Sequence, residues 1–459
     1  MHEVESALKV MEGYTILLKG APGTGKTTYA MSLLERLGRG DAKGVYVSTR
    51  IDPTALYKQF PNLEKRVPIK NVIDATQSEF SEAEFQVLYE DLTGFLRSVY
   101  SVVAEENVAI LILDSWDAVS FQIGKENRGI EKLETSMLDI ARKTKTHLLL
   151  ISEYSGEKRL DYLVDSILRF EKGQIEGRTV RRAYIDKMRG IQVPRSNYPY
   201  TLEGGEFTHF VSNVSGSGRQ GIKKKELICG SGAYSTGTAD LDTIIGGYPQ
   251  GGFILLDIAD DSISWTYRPV LFHTIANFVL NDCGVIYMPE EGSYPSSVKK
   301  LLMNYVSEEV LNKNLRMPSV SETESEDPCL FRAGADVESL RECLDGHFKI
   351  YKKLNKPVLH VLGLTRMNIY AEEDVRELLS EAVLWVRATN DILIGVLKPS
   401  AKLKNEIREM ADVHLRFIPI NGTVNVYGVK PHTVIYNVSS AHEAGNEEGQ
   451  QQLTLTPFV

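Results

Sequence analysis

Cysteine is scarce in this chain of 459 residues. Only four cysteines are present, Cys229, Cys283, Cys329 and Cys343, and no two of them form a Cys-x-x-Cys pair. So few cysteines, spread over so long a chain, argue against a disulfide framework. The sequence has only nine histidines, and they are scattered, so we do not expect a zinc site.

Long apolar runs are missing as well. The most apolar segments, such as VAILIL at residues 108–113, are far shorter than the roughly 20 residues that cross a bilayer. The first ten residues, MHEVESALKV, carry two glutamates where a signal peptide needs lysine or arginine and then an apolar core. We therefore expect a soluble, cytoplasmic protein with no membrane contact.

Positive charge is not in excess. The chain has 52 lysines and arginines against 61 aspartates and glutamates, a formal net charge of −9. This balance disfavours a globally basic protein that binds nucleic acid, although a local basic patch stays possible. The remaining composition, 42% hydrophobic and 25% charged, is that of folded globular domains and excludes a disordered or collagen-like chain.

The most specific motif is a glycine-rich segment, GAPGTGKT at residues 20–27, which fits the pattern GxxxxGK[ST] at every required position. An apolar run, YTILL at residues 14–18, precedes it, and a stretch with helical spacing of apolar residues follows. Glycines let backbone amides curl around phosphates, and the start of a helix adds a positive dipole end. We predict that a nucleotide binds to Gly20, Ala21, Pro22, Gly23, Thr24, Gly25, Lys26, Thr27 and Thr28.

Three residues have predicted chemical roles at this site. Lys26 is expected to reach the β- and γ-phosphates, and Thr27 to offer its hydroxyl group to Mg²⁺. A second apolar run, VAILILD at residues 108–114, ends in Asp114, and an acid at the end of a buried parallel strand would lie beside the phosphate loop. We predict Thr27 and Asp114 as metal ligands and Lys26 and Asp114 as catalytic residues. The alternative for Asp114 is a cap of the following helix.

Strand-like and helix-like segments alternate through the first half of the chain. This alternation predicts an α/β fold with a mainly parallel sheet and helices on both faces. A later segment, RRAYIDKMRG at residues 181–190, is predicted as a hairpin strand. The predicted strands that precede it lie at residues 14–18, 44–48, 71–75, 108–114, 146–152 and 166–170.

The order of these segments resembles that of RecA-superfamily ATPases of the KaiC type over nearly all of residues 1–210. The landmarks are GAPGTGKT, LILDS, LLLISE, DYLVDSILRFE and YIDKMRG. The segment at residues 48–61, which reads STR-x-DP-x-x-LY-x-QFP, further resembles an archaeal branch related to the gas-vesicle regulatory protein GvpD. The resemblance implies that the nucleotide is ATP with Mg²⁺, and that the chain forms a homo-oligomer with ATP at the subunit interfaces.

The resemblance also implies a role for Lys187 and Arg189. In this family a Lys-x-Arg pair on a late strand points across a subunit interface at the γ-phosphate held by the neighbour. Cations placed there stabilise the charge that develops in phosphoryl transfer, so both residues are candidate catalytic residues. The alternative is a pair of solvated charges on a hairpin.

The chain departs from the family where a pair of glutamates activates the attacking water. Arg50 and Ile51 stand at the corresponding positions, and an arginine cannot accept a hydrogen bond from water. Asp52 and Glu153 are the remaining candidates for this catalytic role. We therefore expect nucleotide binding, with hydrolysis that is slow or stimulated by a partner, in the first domain only.

The second half of the chain repeats the first at a shift of about 240 residues. EGYTILLKG beginning at Glu12 matches GGFILLDIA beginning at Gly251, and Lys187 matches Lys430. The copy reads ADDSISWT at residues 259–266, with Trp265 in the place of the lysine, and Gly363 stands where an aspartate is expected. Two glutamates, at positions 290 and 291, survive after the second strand of the copy.

We therefore predict two tandem RecA-like P-loop domains, of which the second is a degenerate pseudo-ATPase. The expected boundaries are 1–212 for the first domain, 213–232 for a linker, 233–440 for the second domain and 441–459 for a flexible tail. The leading functional hypothesis is an ATP-binding regulatory protein whose nucleotide state controls assembly or the binding of an unknown protein partner. The alternatives are a nucleotide-gated scaffold without hydrolysis and a recombinase-like ATPase that handles DNA.

Overall fold

The computed structural model of the chain describes residues 1–37, 43–49, 51–60, 68, 72–74, 92–105, 108–123, 129–154, 156, 158–211, 222, 224–229, 232–261, 265–319, 326–332, 336–353, 355–442 and 451–459. The chain forms two compact units, residues 1–210 with 458–459 (unit 1) and residues 211–457 (unit 2). Each unit contains a large, mainly parallel sheet with helices, and this confirms the predicted fold class. Within these described residues, no helix is long and apolar enough to span a bilayer.

The sheet of unit 1 has nine described strands in the order β3-β2-β4-β5-β1-β6-β7-β8-β9. Strands β3 to β6 of this order run parallel, and the last three join in antiparallel fashion. Because β1 lies between β5 and β6, its carboxyl end opens near the middle of the sheet, where ligands of such folds bind. The strands are β1 (Thr15–Lys19), β2 (Lys43–Ser48), β3 (Val72–Asp74), β4 (Val108–Asp114), β5 (His147–Ser152), β6 (Ser166–Ile175), β7 (Arg178–Met188), β8 (Asn197–Thr201) and β9 (Thr208–His209).

The strands predicted in the first half all appear in this sheet. VAILILD coincides with β4 residue for residue, and the others differ by a few residues at their ends. The predicted late hairpin strand lies within β7, which pairs antiparallel with β6. Glu176 and Gly177 connect the two strands, and both have positive φ, the backbone conformation of a tight two-residue hairpin turn.

The helices of unit 1 cover both faces of its sheet. Alternate residues of β1 belong to two different apolar clusters, with Ile16 and Leu18 in one and Leu17 in the other. Helix α2 buries Ala30, Leu33 and Leu34 along one side, as its helical spacing predicts. The helices are α1 (His2–Val10), α2 (Lys26–Leu37), α3 (Pro53–Gln59), α4 (Leu92–Glu105), α5 (Trp116–Ile123), α6 (Gly129–Thr144), α7 (Arg159–Leu163) and a 3₁₀ turn, Glu203–Gly205.

Unit 2 contains a sheet of ten described strands and a separate two-stranded ladder. The ladder joins β10 (Ala233–Tyr234) to β11 (Tyr248–Pro249). The order in the large sheet is β15-β14-β13-β16-β17-β12-β18-β19-β20-β21. Its strands are β12 (Phe253–Ile258), β13 (Val285–Met288), β14 (Leu315–Ser319), β15 (Leu330–Arg332), β16 (Leu359–Gly363), β17 (Ile392–Leu397), β18 (Val413–Ile420), β19 (Thr423–Lys430), β20 (Tyr436–His442) and β21 (Gln451–Pro457).

The helices of unit 2 lie between these strands. Helix α9 is buried along almost its whole length, since eleven of its residues are buried, and it fills the centre of the largest apolar cluster of the unit. The helices are α8 (Ala239–Ile245), α9 (Arg268–Leu280), α10 (Pro295–Leu302), α11 (Glu308–Asn314), α12 (Val337–Lys352), α13 (Glu372–Thr389), α14 (Lys404–Met410) and a 3₁₀ segment, Leu364–Ile369.

The two sheets share one topology. In unit 1, β1 lies between β5 and β6. In unit 2, β12 lies in the same place, between β17 and β18. Within the described parts of the two units, unit 2 has one additional parallel strand, β15, at the edge beyond β14. The common strand order supports the internal duplication that the sequence repeats predict.

The chain differs from expectation at the linker and at the tail. In the linker, residues 212–221 and Lys223 lie outside the described residues, but Ile222 is buried and Ile228 forms a β-bridge with Tyr234. At the tail, residues 443–450 also lie outside the description, whereas β21 pairs antiparallel with β20 and buries Leu453 and Leu455. Alternate leucines give β21 an apolar face, and this outweighs the polar segment that precedes it.

Candidate nucleotide-binding site

The phosphate loop is the connection between β1 and α2. Strand β1 ends at Lys19 and α2 begins at Lys26, so residues 20–25 form a turn at the carboxyl edge of the sheet. Gly20 has a φ of +149°, and a Cβ atom there would lie 2.3 Å from the carbonyl oxygen of Phe170. Gly25 has a φ of +88°. Both positions need glycine, because other residues would be strained or would collide with the neighbouring backbone.

Lys26 lies inside this loop. Its Nζ donates hydrogen bonds to the carbonyl oxygens of Gly20 at 2.7 Å and of Ala21 at 2.9 Å. The Thr24 hydroxyl donates to the same Ala21 oxygen at 2.8 Å. The Lys26 side chain is buried, so a positive charge is held within the curl of the backbone at the start of a helix. This arrangement attracts an anion such as a phosphate group.

Thr27 and Asp114 are brought together, although they are far apart in the sequence. The Thr27 hydroxyl donates a hydrogen bond of 2.7 Å to Oδ2 of Asp114, which ends β4. The Tyr46 hydroxyl donates a second hydrogen bond of 2.7 Å to the same oxygen. Burial and the neighbouring Asp114 raise the pKa of Tyr46 well above its usual value, so the phenol stays protonated and keeps donating at neutral pH.

Two residues of the antiparallel strands donate hydrogen bonds to the backbone of the loop. The Tyr200 hydroxyl, on β8, donates a hydrogen bond to the carbonyl oxygen of Thr24. The Arg181 guanidinium, on β7, donates to the Gly23 carbonyl oxygen at 2.8 Å and also to the backbone oxygen of Val459. Both side chains are buried, so the loop backbone is fixed by partners that lie about 160 to 180 residues later in the chain.

The candidates for the water-activating acid have other contacts. Asp52 is the N-cap of α3, and its Oδ1 accepts a hydrogen bond of 3.1 Å from the backbone amide of Ala55. Glu153 follows β5, and its backbone amide donates to Asp117 at 2.6 Å. Arg50 lies outside the described residues. The assignment of a general base to Asp52 or Glu153 therefore stays a prediction.

Lys187 and Arg189 lie against the end of α7 in their own unit. Lys187 Nζ donates to the carbonyl oxygens of Asp161 at 2.7 Å and Val164 at 2.6 Å. Arg189 Nη2 donates to the Tyr162 carbonyl oxygen at 3.0 Å. Burial, with a further contribution from Arg189, lowers the pKa of Lys187. The pair thus has a structural role within the unit, and its predicted role across a subunit interface stays a prediction.

Unit 2 repeats this structural use of a lysine. Lys430, the residue that matches Lys187, donates through Nζ to the Ala411 carbonyl oxygen at 2.8 Å. Ala411 in turn matches Val164, which is one of the acceptors of Lys187. In both units, therefore, a lysine donates a hydrogen bond to a carbonyl oxygen at the end of the short helix, which is α7 before β6 in unit 1 and α14 before β18 in unit 2.

Unit 2 lacks the phosphate-binding side chains at the corresponding edge. Trp265 stands in the place of Lys26 and is 46% exposed, and residues 262–264 lie outside the description. Gly363 ends β16 where unit 1 has Asp114 at the end of β4. A Cβ atom at Gly363 would lie 2.4 Å from the backbone nitrogen of Glu290, so this close approach excludes an aspartate at the position.

Glu290 itself is completely buried. Its Oε1 has no hydrogen-bond partner among the described residues and lies 3.9 Å from Lys398 Nζ. Burial raises the pKa of Glu290, since the charged carboxylate is poorly solvated there. One of the two surviving glutamates of the copy is thus enclosed within its own unit.

A buried ion pair has reversed its charges between the units. In unit 1, Lys19 Nζ lies 2.7 Å from Asp161 Oδ2. The register of the two sheets places Asp257 at the position of Lys19, one residue away from the alignment of the sequence repeat, and Asp257 Oδ2 accepts from Arg408 Nε at 3.0 Å. This strand position is therefore positive in unit 1 and negative in unit 2. A carboxylate at that place disfavours a triphosphate.

The sequence did not predict the contacts that three residues make at the site: Tyr46, Arg181 and Tyr200. The one signal for Tyr46 is a hydroxyl-bearing residue within an otherwise apolar strand, GVYVS. Arg181 and Tyr200 carry no motif, because their contacts depend on how β7 and β8 pack behind the loop.

Comparison with known proteins agrees with this geometry. Residues 5–186 match the family model described as the GvpD gas vesicle protein, P-loop domain, and this range includes the whole phosphate loop and Asp114. Over 97% of the chain and 94% of each relative, the identity is 27% to Protein GvpD2 and 23% to Protein GvpD1 of Halobacterium salinarum. A UPF0273 protein of Aeropyrum pernix is 24% identical over 41% of this chain and 81% of its own length. Over nearly its whole length the chain is therefore similar to GvpD proteins, and unit 1 contains the range that matches the P-loop domain of this family.

Proposed function

We propose that unit 1 binds ATP together with Mg²⁺, and that the nucleotide state regulates assembly or partner binding. The observation that supports this most is the buried Lys26 ammonium inside the loop, next to the contact between Thr27 and Asp114. These are the donor types and the acid that a magnesium-bound triphosphate needs. The resemblance to GvpD and to KaiC-type ATPases favours adenine as the base.

The residues present fit this ligand. Lys26 would exchange the carbonyl oxygens of Gly20 and Ala21 for phosphate oxygens, which carry more negative charge and accept stronger hydrogen bonds. Thr27 would release Asp114 and offer its hydroxyl oxygen to the metal, while Asp114 keeps the hydrogen bond from Tyr46. When bound, Mg²⁺ supplies charge neutralisation for the phosphate oxygens.

We infer that hydrolysis in unit 1 is slow or depends on a partner. Asp52 serves as a helix cap, and Arg50 and Ile51 cannot accept a proton from water. A partner that supplied a carboxylate side chain to activate the water, or that moved Glu153 toward the water, would accelerate the reaction. Unit 2 would contribute a surface rather than a second nucleotide site, because Trp265 and Gly363 replace the lysine and the aspartate.

A titration with a fluorescent ATP analogue and Mg²⁺ tests the binding proposal. Lys26→Gln should abolish saturable binding, since it removes the buried ammonium but preserves much of the side-chain length. Trp265→Gln is the matched control at the equivalent position of unit 2 and should leave the affinity unchanged. Equal affinity of the Lys26→Gln variant and the unaltered protein would refute the proposal.

A nucleotide-gated scaffold without turnover is the second candidate function. The cap of α3 favours it, because Asp52 Oδ1 already accepts a hydrogen bond from the Ala55 amide. Phosphate release from saturating Mg·ATP separates the two functions. Steady release that disappears in Lys26→Gln would exclude the scaffold, and binding without release would support it.

The predicted assembly can be measured on the same samples. Light scattering after size exclusion, with no nucleotide, with ADP and with a non-hydrolysable ATP analogue, would report a nucleotide-dependent change of mass. If the chain stays a monomer in every state, ATP is not shared between subunits, and Lys187 and Arg189 retain only their contacts with the end of α7.

The description of the matching family model connects that family with gas vesicles, and we propose that the partner of this chain belongs to the same system. In a host that forms gas vesicles, a chain with Lys26→Gln should then give a vesicle content that differs from the content with the unaltered chain. An identical content with the two chains would argue against a nucleotide-dependent role there.

A further inference from the structure

Unit 2 contains a cavity of about 200 Å³ beneath helices α12 and α13. Three of the strand residues that line it are the second residue of their strand, Ile286 on β13, His360 on β16 and Leu393 on β17, and Leu362 is the fourth residue of β16. Asp391, the residue just before β17, also lines the cavity. The cavity therefore lies near the amino ends of these strands. The phosphate loop of unit 1 occupies the opposite, carboxyl edge of its sheet, so this cavity is not the remnant of a nucleotide site.

The wall of the cavity is mostly apolar. Helix α13 contributes Leu378, Ala382, Trp385 and Val386. The ring of Phe348, on α12, lies 4.3 Å from the ring of Trp385 and fixes its orientation by edge-on packing. A cavity of this size and lining takes a single aromatic ring with a small substituent, since cavities of about 150 Å³ already bind benzene.

His360 gives the cavity a polar group. Its imidazole forms no hydrogen bond within the described part of the chain, although it packs 5.6 Å from the ring of Phe348. Burial lowers the pKa of His360 to about 4, so the ring is neutral at pH 7. A neutral imidazole offers one donor and one acceptor, so a ligand in the cavity can form a hydrogen bond with it.

The charged residues of the lining are mostly paired already. Arg341 lies 3.1 Å from Glu381, and Asp391 accepts from Lys352 at 3.0 Å and from the Val358 amide at 2.8 Å. The Nε atom of Arg341 is buried without a hydrogen-bond partner. Arg341, Glu381 and Asp391 therefore need no charged ligand to balance them, and a neutral polar group is sufficient for the buried Nε atom of Arg341.

Asp345 adds a further acceptor to the lining, and Glu381 is half-exposed where the cavity reaches the surface. A hydroxyl group suits this set of neighbours, because it can donate to a carboxylate or an imidazole nitrogen and can accept from Arg341 Nε.

We propose that this cavity binds a small uncharged aromatic molecule with one hydroxyl group, a ligand of the phenol class. The ring lies against Trp385 between the apolar side chains, and the hydroxyl group forms the hydrogen bond that His360 lacks. Unit 2, without a phosphate loop, is thus a small-molecule binding unit rather than only a relic of duplication.

Calorimetric titration of the full chain with phenol and with toluene tests the proposal. The two probes have nearly the same shape, but only phenol has a hydroxyl group. We expect saturable binding of phenol, with toluene about three- to tenfold weaker. His360→Phe keeps a ring in place and should remove this preference without changing the affinity for toluene.

Two substitutions on α13 separate the cavity from the surface. Ala382→Phe fills the cavity and should abolish the binding of both probes. Leu384→Phe, on the same helix at a residue that is 66% exposed, is the matched control and should bind normally. Absence of saturable phenol binding to the unaltered chain, or undiminished binding to a folded Ala382→Phe variant, would overturn the proposal.

Tryptophan emission provides a readout that does not depend on the folding of Ala382→Phe. Phenol should change the emission of Trp385, so the change should be present in the unaltered chain and absent in Trp385→Phe. A saturable titration with the same emission change in both proteins would place phenol elsewhere and refute the site.

Discussion

Replacement of Tyr46 by phenylalanine removes one hydroxyl group beside Thr27 and Asp114, the proposed metal ligands. In the structure this hydroxyl donates to Asp114 Oδ2 at 2.7 Å, and the same oxygen accepts from Thr27. If ATP binds with Mg²⁺ as proposed, Thr27 turns toward the metal, and Tyr46 becomes the side chain that keeps Asp114 in place. The variant therefore tests whether a group behind the acid contributes to metal binding.

The magnitude follows from the contact. A hydrogen bond to a charged group contributes about 1.5 to 3 kcal/mol, and Tyr46 is only 1% exposed, so water cannot replace the lost hydroxyl. Asp114 keeps its contact with Thr27 in the nucleotide-free protein, so we expect a stability loss near 1.5 kcal/mol. Loss of a group that orients a metal-binding carboxylate typically costs ten- to a hundredfold in metal affinity.

The assay is a titration with a fluorescent ATP analogue at a series of Mg²⁺ concentrations. We expect the Mg²⁺ concentration for half-maximal binding to rise about tenfold in Tyr46→Phe. Tyr234→Phe is the matched control, because this buried tyrosine of unit 2 donates to the Asn390 carbonyl oxygen at 2.9 Å. It should lose stability without any change in the Mg²⁺ requirement. The reasoning is refuted if both variants keep the Mg²⁺ requirement of the unaltered protein.

Three further predictions concern unit 2. Asp257→Ala should lower the free energy of unfolding by about 3 kcal/mol in urea denaturation, because it leaves Arg408 without its buried partner. Burial raises the pKa of Asp257, but hydrogen bonds from His414 and Arg408 outweigh this and hold the pKa below its usual value. This stabilisation is therefore present above about pH 4 and lost as the pH falls through the lower folded-state pKa, so denaturation curves of the unaltered chain and Asp257→Asn should converge in acid. Gly363→Ala should lower the melting temperature, since its Cβ would lie 2.4 Å from a backbone nitrogen, whereas Gly346→Ala, with no atom within 4 Å, should raise it.

Each of these three predictions would be contradicted by a specific result. Equal unfolding free energies of Asp257→Ala and the unaltered chain would show that Arg408, which is one-third exposed, is satisfied by water. If the difference in stability between Asp257→Asn and the unaltered chain stays constant down to acid pH, then the titration of Asp257 does not contribute to the pH dependence of stability. Equal melting temperatures for the two glycine variants would show that the segment beside Gly363 can move away at little cost.

The two units share one strand order but differ in the residues around the loop that follows the first strand of each sheet. Lys187 and Lys430 lie on equivalent strands, β7 and β19. Each donates a hydrogen bond to a carbonyl oxygen at the end of the short helix, α7 or α14, of its own unit. Around the first strand, however, Asp257 stands in the place of Lys19 in the sheet register, and Trp265 stands in the place of Lys26 in the sequence repeat. Contacts that stabilise the sheet therefore persist in both copies, while the residues of the phosphate site differ.

Local patterns in the sequence were sufficient for the strands, the phosphate loop and the duplication. Apolar runs determine β1 and β4, and the glycines of residues 20–25 determine a loop that few other sequences can adopt. The substitution of Trp265 for lysine is likewise visible without coordinates. These features depend on residues that are neighbours in the chain, and so periodicity and residue type are enough to predict them.

Tertiary structure alone decided which side chains meet. Tyr46 reaches Asp114 across 68 positions, and Arg181 reaches Gly23 across 158, because the strands that carry them pack beside or behind the loop. Lys187 contacts the end of α7 within its own unit, and β21 joins the sheet although a polar segment precedes it. Such contacts depend on distances between remote segments, which the local sequence pattern does not encode.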